Sequence, residues 1–422
     1  MSEKSLASLK VLDIELVFPP EPNGRLAYEF VCGLAAKGYE VTVITPKARQ
    51  SVSTVSYESY MHGHFAREKG GSIVVIRVPP RRAAPSSALR LLSDHILIPL
   101  FLAVWSLWAS RDVDVIHCPS PPLVLAFLEC LVSFVRRVPL VVRIHDLHPD
   151  ALVKMGLLRN RFIIGLLEVF QAVVFRRARA LSVVAASYKS YIISKGIEPA
   201  KVSVIPNWIP FTSPLPSSSS NSRSIGSMPV YGRFIVAYGG AMYWAQDLET
   251  VIDAAYLLRH DKDICFLIMG DGPTKESIVR RSRLLGLQNV LIMPLQPRDI
   301  YLNIIATASV CLVPLRKGYS SPTLPSKIPE LMSMGKPIIA SAVSESEVGR
   351  LFAEAQCGLL VAPGDPKSLA ASILTLKEKP ELAKALGENG KRYAESHFSA
   401  NSSIELYASL LMNASKKMQQ LH

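Results

Sequence analysis

Short apolar runs alternate with helically patterned segments along nearly the whole of this chain, and they do so in two series. The first contains "VLDIELVF", "EVTVIT", "SIVVIRV", "DVIHC" and "PLVVRI"; the second contains "FIVAYGG", "ICFLIMG", "NVLIMP", "VCLVPL", "PIIAS" and "GLLVAP". Parallel strands buried on both faces are apolar throughout, and each needs a crossover helix to return the chain. The rhythm therefore predicts an α/β architecture of two Rossmann-like domains with parallel sheets. Between the series, residues 210–229 run "PFTSPLPSSSSNSRSIGSMP", rich in Ser and Pro and without periodicity, as a linker is. The expected organisation is an N-terminal domain over 1–207, a linker over 208–230, a second domain over 231–398, and a C-terminal helix over 399–422 that packs back on one of the two. At 422 residues the chain is long enough for two cores. Such sheets bind ligands beyond the carboxyl ends of their strands, so the expected site is a cleft where two such edges face each other.

The hydrophobic class makes up 49% of the residues and the charged class 19%, which excludes a largely disordered chain. The net charge of +13 is uneven: 25 Lys and Arg stand against 16 Asp and Glu in residues 1–205, and 22 against 18 thereafter. A basic excess suits nucleic acid, an anionic lipid surface or a phosphorylated substrate. No basic run interleaved with aromatics and no zinc-ligand spacing occurs, so neither nucleic acid nor a bound metal is expected. The six cysteines (Cys32, Cys118, Cys130, Cys265, Cys311, Cys357) are scattered, mostly within apolar runs, as free thiols in a reducing cytoplasm are. The opening "MSEKSLASLKVLDIELVF" lacks the apolar core of a signal peptide and leads into a first strand.

Residues 89–109, "LRLLSDHILIPLFLAVWSLWA", have an uninterrupted apolar part, 96–105, shorter than the roughly 20 residues of a membrane span. Two expectations remain for this segment: a core helix of the first domain, or an interfacial one. Arg81, Arg82 and Arg90 before it, Trp105 and Trp108 within it, and the basic patches "FVRR" and "FRRAR" further on support the second.

Residues 321–341, "SPTLPSKIPELMSMGKPIIAS", carry the densest chemistry. "SKIPELMSM" predicts a short helix, with Ser326 as N-cap and Lys327, Ile328 and Pro329 in the first turn. A capping-box carboxylate belongs three residues after the cap, but Pro329 stands there and Glu330 comes one later. Glu330 is thus available for other work. A helix start at the carboxyl end of a strand attracts phosphate, and Lys327 adds a positive charge there. One turn on, Glu330 can accept hydrogen bonds from ribose hydroxyls.

This block, together with "IMGDGP", "CGLLVAPGDPKSLAASIL" and "FPPEPNGRLAYEFVCGLAAKGYEVTVIT", resembles the family 4 glycosyltransferases of GT-B fold, nearest the N-acetylfucosaminyl-transferase branch of bacterial surface-polysaccharide assembly. The resemblance implies a cytoplasmic-side enzyme, metal-independent and without a cofactor. Such an enzyme transfers a glycosyl group with retention from a nucleotide-sugar, with uridine diphosphate and an N-acetylated deoxyhexosamine as the expected donor parts. The expected acceptor is a glycan or polyprenyl-linked molecule at an anionic membrane surface. It places the diphosphate near Lys327, with Pro325 and Ser326 of the motif beside it, and the ribose on Glu330. Many relatives carry a further glutamate where this chain has Pro322, so the loop 318–324 would have to read the donor sugar. Where relatives often read G-N-x-G-K-x-Q, this chain has "GGAMYWAQ": Gly239 and Gly240 permit close approach, but Ala241 and Trp244 replace the asparagine and lysine. Arg316 or Lys317 would then assist Lys327. The turn Gly270, Asp271, Gly272 is expected beside the donor.

In the first domain, "PLVVRIHDLHPD" puts His145 at a strand end, and the resemblance brings the matching histidine close to the donor sugar. His145, Lys327 and Glu330 are the expected catalytic set, with His145 stabilising a developing oxocarbenium ion rather than acting as a base. Asp146 is expected to orient its ring or cap the next turn. Gly24 and Arg25 open a helix and form a second anion-friendly terminus. Two other functions stay open: a nucleotide-sugar epimerase of the same architecture, and a non-catalytic partner subunit of another glycosyltransferase.

Overall fold

A computed structural model of the chain describes residues 8–19, 21, 24–47, 65–67, 72–81, 93–154, 158–209, 232–317 and 324–419. Pro322, most of the loop around it, Arg82, Arg90 and residues 210–231 lie outside the described residues. The chain divides into two compact units, Met1–Pro210 with Ala400–His422, and Phe211–Ser399.

Unit 1 contains β1 (Lys10–Ile14), α1 (Arg25–Ala36), β2 (Glu40–Lys47), β3 (Phe65–Arg67), β4 (Ser72–Arg81), α2 (Ile98–Ala109), β5 (Val115–Ser120), α3 (Leu123–Arg136), β6 (Leu140–Ile144), α4 (Asp150–Lys154), α5 (Arg161–Arg177), β7 (Ala180–Val183), α6 (Ala186–Ser194) and β8 (Val202–Val204). Its sheet has the order β3-β4-β2-β1-β5-β6-β7-β8, parallel at every pairing except β3 with β4. Alternate residues of a strand face opposite layers. Thus Leu12, Ile116 and Val142 join the core under α2, α3 and α5, while Val11, Val115 and Val141 join the core under α1.

Unit 2 contains β9 (Phe234–Gly239), α7 (Leu248–Leu257), β10 (Ile264–Met269), α8 (Lys275–Leu284), β11 (Val290–Met293), α9 (Arg298–Thr307), β12 (Val310–Pro314), α10 (Lys327–Ser333), β13 (Ile338–Ser341), α11 (Glu347–Ala355), β14 (Gly358–Val361), α12 (Pro366–Glu378) and α13 (Pro380–His397). Its six strands, ordered β11-β10-β9-β12-β13-β14, are all parallel. Local chemistry sets the helix starts. The Asp365 carboxylate accepts from the amides of Lys367 and Ser368 while Pro366 takes the first helical position of α12, where an amide has no intrahelical partner.

The last helix, α14 (Ala400–Gln419), packs on unit 1. Ile404, Tyr407 and Leu411 fill the layer beside Phe30 and Leu34, and a methyl group on Gly33 would collide with the Ile404 side chain. The Tyr39 hydroxyl donates to the Ala408 carbonyl over 3.1 Å, and the hydroxyls of Ser182 and Tyr407 lie 3.2 Å apart. The helical run Ser93–Asp112 is 20 residues long, with a mean hydropathy of 1.2, so length and composition alone would allow a span. It exceeds the short apolar stretch expected from the sequence because the helix starts upstream, through Asp94 and His95. One face, with Ile98, Leu102 and Ala103, is buried in the unit 1 core, and the opposite face is exposed.

Tyr407 is 1% exposed, and removing a buried aromatic side chain typically costs about 3–5 kcal/mol. Tyr407→Ala is therefore expected to destabilise unit 1 by about that amount in urea denaturation, although the residue lies near the chain's end. An unchanged unfolding midpoint would show that α14 does not support the unit.

Candidate functional site

In unit 2 the chain passes from β9 to β10 on one side and from β12 to β13 on the other, with β9 and β12 adjacent. Loops leaving two such strands diverge, and the crevice between them is where parallel α/β sheets bind ligands. The loop after β9 starts with Gly240, and the connection after β12 leads to Lys327 at the start of α10. These two meet. The Lys327 ammonium stands 4.2 Å from the centre of the Tyr238 ring, and a methyl group on Gly240, whose φ is +140°, would lie 3.1 Å from Nζ. Only glycine adopts that backbone conformation without strain while leaving room for the lysine.

The β9 and β10 loops are laced together. The Met242 amide donates to the Asp271 carbonyl over 2.8 Å, and the Thr274 hydroxyl donates to the Met242 carbonyl over 2.8 Å. Gly270 faces the Gly240 carbonyl and Gly272 the Met242 carbonyl so closely that any side chain would collide, and Gly239 lies against the Tyr301 ring. The four glycines expected at the donor therefore let two loops and a ring converge beneath Lys327.

Burial lowers the Lys327 pKa from its ordinary value to about 8. No carboxylate pairs with its ammonium among the described residues. The face of Tyr238 offsets part of the desolvation through its quadrupole but supplies no counter-charge. An anion beside Nζ would meet a cation already stripped of much of its water.

One turn on, Glu330 is mostly buried and forms an ion pair with Arg298 Nη2 at 2.5 Å. Arg298 opens α9, and Tyr301, on the same face of that helix, lies against Gly239. The Tyr301 hydroxyl pKa is raised by burial and then by the neighbouring Glu330 charge. The pairing engages Oε1 of the glutamate, so α9 holds the carboxylate in place.

Ser326 does not cap α10. Its backbone is already helical, at φ −56° and ψ −22°, and its side chain makes no cap hydrogen bond, because capping geometry needs an extended residue. The Pro325 carbonyl instead accepts from the Ile328 amide over 3.0 Å. Arg316 turns toward Glu249 at the start of α7, with Nη2 3.6 Å from the carboxylate, and so does not join Lys327 as expected. Asp271 is largely exposed, accepts from the Gly272 amide and lies 3.6 Å from Lys275. Ala241 gives its carbonyl to the Tyr238 hydroxyl, Trp244 is 48% exposed, and Lys317 is exposed.

In unit 1, His145 directly follows β6, and its amide donates to the Ser120 carbonyl at the end of β5. Burial, then the charge of Arg143 two residues earlier on the same strand, then His117, hold its pKa well below the usual value, so the imidazole is neutral. Beneath it runs a buried polar layer. Arg143 pairs with Glu15 at 2.6 Å and lies over the Phe30 ring, while Asp13 and His117 meet at 2.6 Å. Burial pushes Asp13 up to about 7 and His117 down to about 3, so their contact is a hydrogen bond with an uncharged imidazole. Asp146 accepts from the Tyr188 hydroxyl over 2.7 Å, which anchors it to α6 rather than to the ring of His145. Gly24 packs against the Phe18 backbone at the start of α1, and Arg25 pairs with Glu29, which also accepts from the Trp208 indole. Its charge is therefore already partly neutralised. Among the described residues, no group of three or more His, Cys, Asp or Glu side chains is arranged to hold a metal ion.

Lys327 loses protons more readily folded than unfolded. Between about 8 and its ordinary 10.5 the unfolded chain binds more protons, so stability rises with pH across that window and the penalty is full below it. Lys327→Met is expected to stabilise the protein at pH 7 by on the order of 1–3 kcal/mol, with the gain fading by pH 10–11. Urea titrations at both pH values check this, and a loss of stability at pH 7 would contradict the buried, unpaired charge.

Residues 24–208 match the family described as glycosyl transferase 4-like domain, and residues 233–379 match glycosyl transferases group 1. WcaI of Escherichia coli (strain K12), assigned as a glycosyl transferase of colanic acid biosynthesis, is 28% identical over 389 residues, covering 89% of this chain and 93% of that protein. WbjE of Pseudomonas aeruginosa, assigned as a glycosyltransferase, is 25% identical over 84% of this chain and 93% of its own. Among solved structures, Anabaena HepE in complex with UDP superposes with a TM-score of 0.67 at 18% identity, over 96% of this chain and all of that one. Sucrose-phosphate synthase from Thermosynechococcus elongatus gives 0.70 at 18%, over 96% and 98%. One matched domain falls in each unit: the chain carries both a glycosyl transferase 4-like domain and a glycosyl transferases group 1 domain, and is a glycosyltransferase of GT-B fold.

Proposed function

We propose that the protein transfers a glycosyl group, with retention of configuration, from a nucleoside diphosphate sugar to a glycan or polyprenyl-linked acceptor held at the cytoplasmic face of a membrane. The observation that carries the donor half is Lys327: a buried ammonium without a carboxylate partner among the described residues, set over Tyr238 and against Gly240 at the switch point of the unit 2 sheet. A diphosphate supplies the missing negative charge. Glu330, one turn on, is paired with Arg298 through Oε1, which leaves Oε2 to accept from a ribose hydroxyl. The UDP complex of HepE supports uridine diphosphate as the nucleotide. An N-acetylated deoxyhexosamine as the sugar rests on the branch resemblance, and WcaI's assignment to colanic acid biosynthesis supports a polysaccharide acceptor.

In the reaction, the bond between the anomeric carbon and the diphosphate oxygen breaks, and Lys327 with the first-turn amides of α10 takes up the charge that develops on the leaving group. The acceptor hydroxyl forms its new bond on the same face, and its proton passes to a leaving diphosphate oxygen. His145, neutral because of its burial and of Arg143, can donate or accept a hydrogen bond without adding a positive charge. No metal has a part in this scheme.

Lys327→Ala is expected to lower kcat/KM for the nucleotide sugar at least 100-fold, and Glu330→Gln 10- to 100-fold, as losses of charge-assisted bonds. Arg298→Ala is expected to act mainly on donor KM, by about 10-fold, because it orients Glu330 without meeting the reacting atoms. UDP affinity should fall as pH rises through about 8, where free Lys327 loses its proton. Calorimetry with UDP and product analysis with and without acceptor check these points. Release of an altered sugar without acceptor would favour epimerisation, and unchanged turnover in both the Lys327 and Glu330 variants would remove the site assignment.

A further inference from the structure

Helices α2, α3 and α5 pack side by side over one face of the unit 1 sheet, and the side they turn outward is apolar. On α2, Phe101, Val104 and Trp108 recur at helical spacing and are all exposed, Val104 by 67%. On α5, Phe162, Leu166 and Val169 do the same, with Phe162 91% exposed, and Phe134 and Val135 of α3 lie exposed at 73% and 64%. Isolated exposed apolar residues are ordinary, but stripes on three neighbouring helices form a contiguous patch of the kind that marks an interaction site.

The charges around the patch identify what it meets. Exposed Arg159 and Arg161 stand at the start of α5, while Arg176 and Arg177 close it; Arg137 follows α3 and Arg111 follows α2. The Arg177 guanidinium lies 6.0 Å from the centre of the Phe134 ring, so cation and aromatic sit together at the boundary of the apolar band. Within the three helices Glu168 is the exposed carboxylate, since Glu129 is buried and bonded to Ser106. A second copy pairing through this face would bring arginine rows against arginine rows in either direction, because both ends of the band are basic. A lipid leaflet with anionic headgroups satisfies both parts: the apolar side chains enter the headgroup and acyl boundary while the guanidinium groups reach phosphates at each end.

We propose that the outward face of α2, α3 and α5 is a docking surface for an anionic phospholipid bilayer. It deepens the reading of a membrane-held acceptor by naming the partner and the surface, and it is tested without sugar nucleotide or acceptor, so its failure is separate from that of the donor site. In flotation, the full chain is mixed with vesicles of phosphatidylglycerol and phosphatidylcholine, or of phosphatidylcholine alone. The wild type is expected to float with the first, to float at least tenfold less with the second, and to be released from the first by salt. Phe134→Glu with Phe162→Glu should reduce flotation at least tenfold with the thermal midpoint unchanged, since both side chains are exposed. Arg176→Gln with Arg177→Gln should weaken binding to anionic vesicles only. A wild type that stays unbound with both kinds of vesicle, or a phenylalanine variant that floats as well as the wild type, overturns the proposal. So does sedimentation showing a dimer that the phenylalanine variant dissolves, because the face would then belong to a second copy.

Discussion

Strand β9 pairs with β10 on one side and with β12 on the other, and the chain leaves the two halves of the sheet in opposite directions. That pairing dictates where chemistry can sit in unit 2. It opens a crevice at one edge, delivers a glycine turn from β9 and a lysine-led helix from β12 to that crevice, and leaves the lysine with an aromatic face in place of a counter-ion. Isolated charges are costly to bury, so such an arrangement persists where an anion completes it. Unit 1 handles charge differently. There Arg143, Glu15, Asp13 and His117 are all buried, yet each has a partner within the layer. Arg143 and His117 of that layer set the electrostatic background of His145 while that residue occupies the strand end.

Arg298 shows how a binding residue acquires a supporting layer. Glu330 alone is a flexible carboxylate in a short helix; with Arg298 on one oxygen and Tyr301 beside it, the group is oriented before any ligand arrives. Pre-orientation of this kind lowers the ordering cost of binding. It also distributes the proposed donor site over three parts of the unit, α9, α10 and the turn before α8, whose relative positions the sheet enforces.

The two sheets were legible because their central strands are long apolar runs, such as "ICFLIM" and "PLVVRI", bounded by turn residues. Strands β7 and β8 escaped the pattern: "ALSV" and "VSV" are too short to show a period, and the pairing of β7 with β6 and of β8 with β7 decides their fate. Lys327 and Glu330 could be picked out from spacing alone, since helix starts have a local grammar. Ser326 fits that grammar in the sequence but not in space, because its backbone conformation is set by the preceding proline-containing turn. Arg298 was beyond reach, as it pairs with a residue 32 positions away. For the same reason the partners of Asp146 and Arg316 appear only once helices have packed.

The polypeptide enters unit 2 after Pro210 and returns to unit 1 at Ala400, where α14 adds Tyr407 to the layer around Phe30. During synthesis, then, the first two hundred residues emerge with one wall of their core missing, and that wall is translated only after the whole of unit 2. Unit 2, contiguous in sequence, can complete its own structure while unit 1 waits, exposing the apolar face that Ile404, Tyr407 and Leu411 later cover. Ribosome-bound chains would thus hold a finished unit 2 and an unfinished unit 1. Closure of the unit 1 core therefore waits on the docking of a single helix.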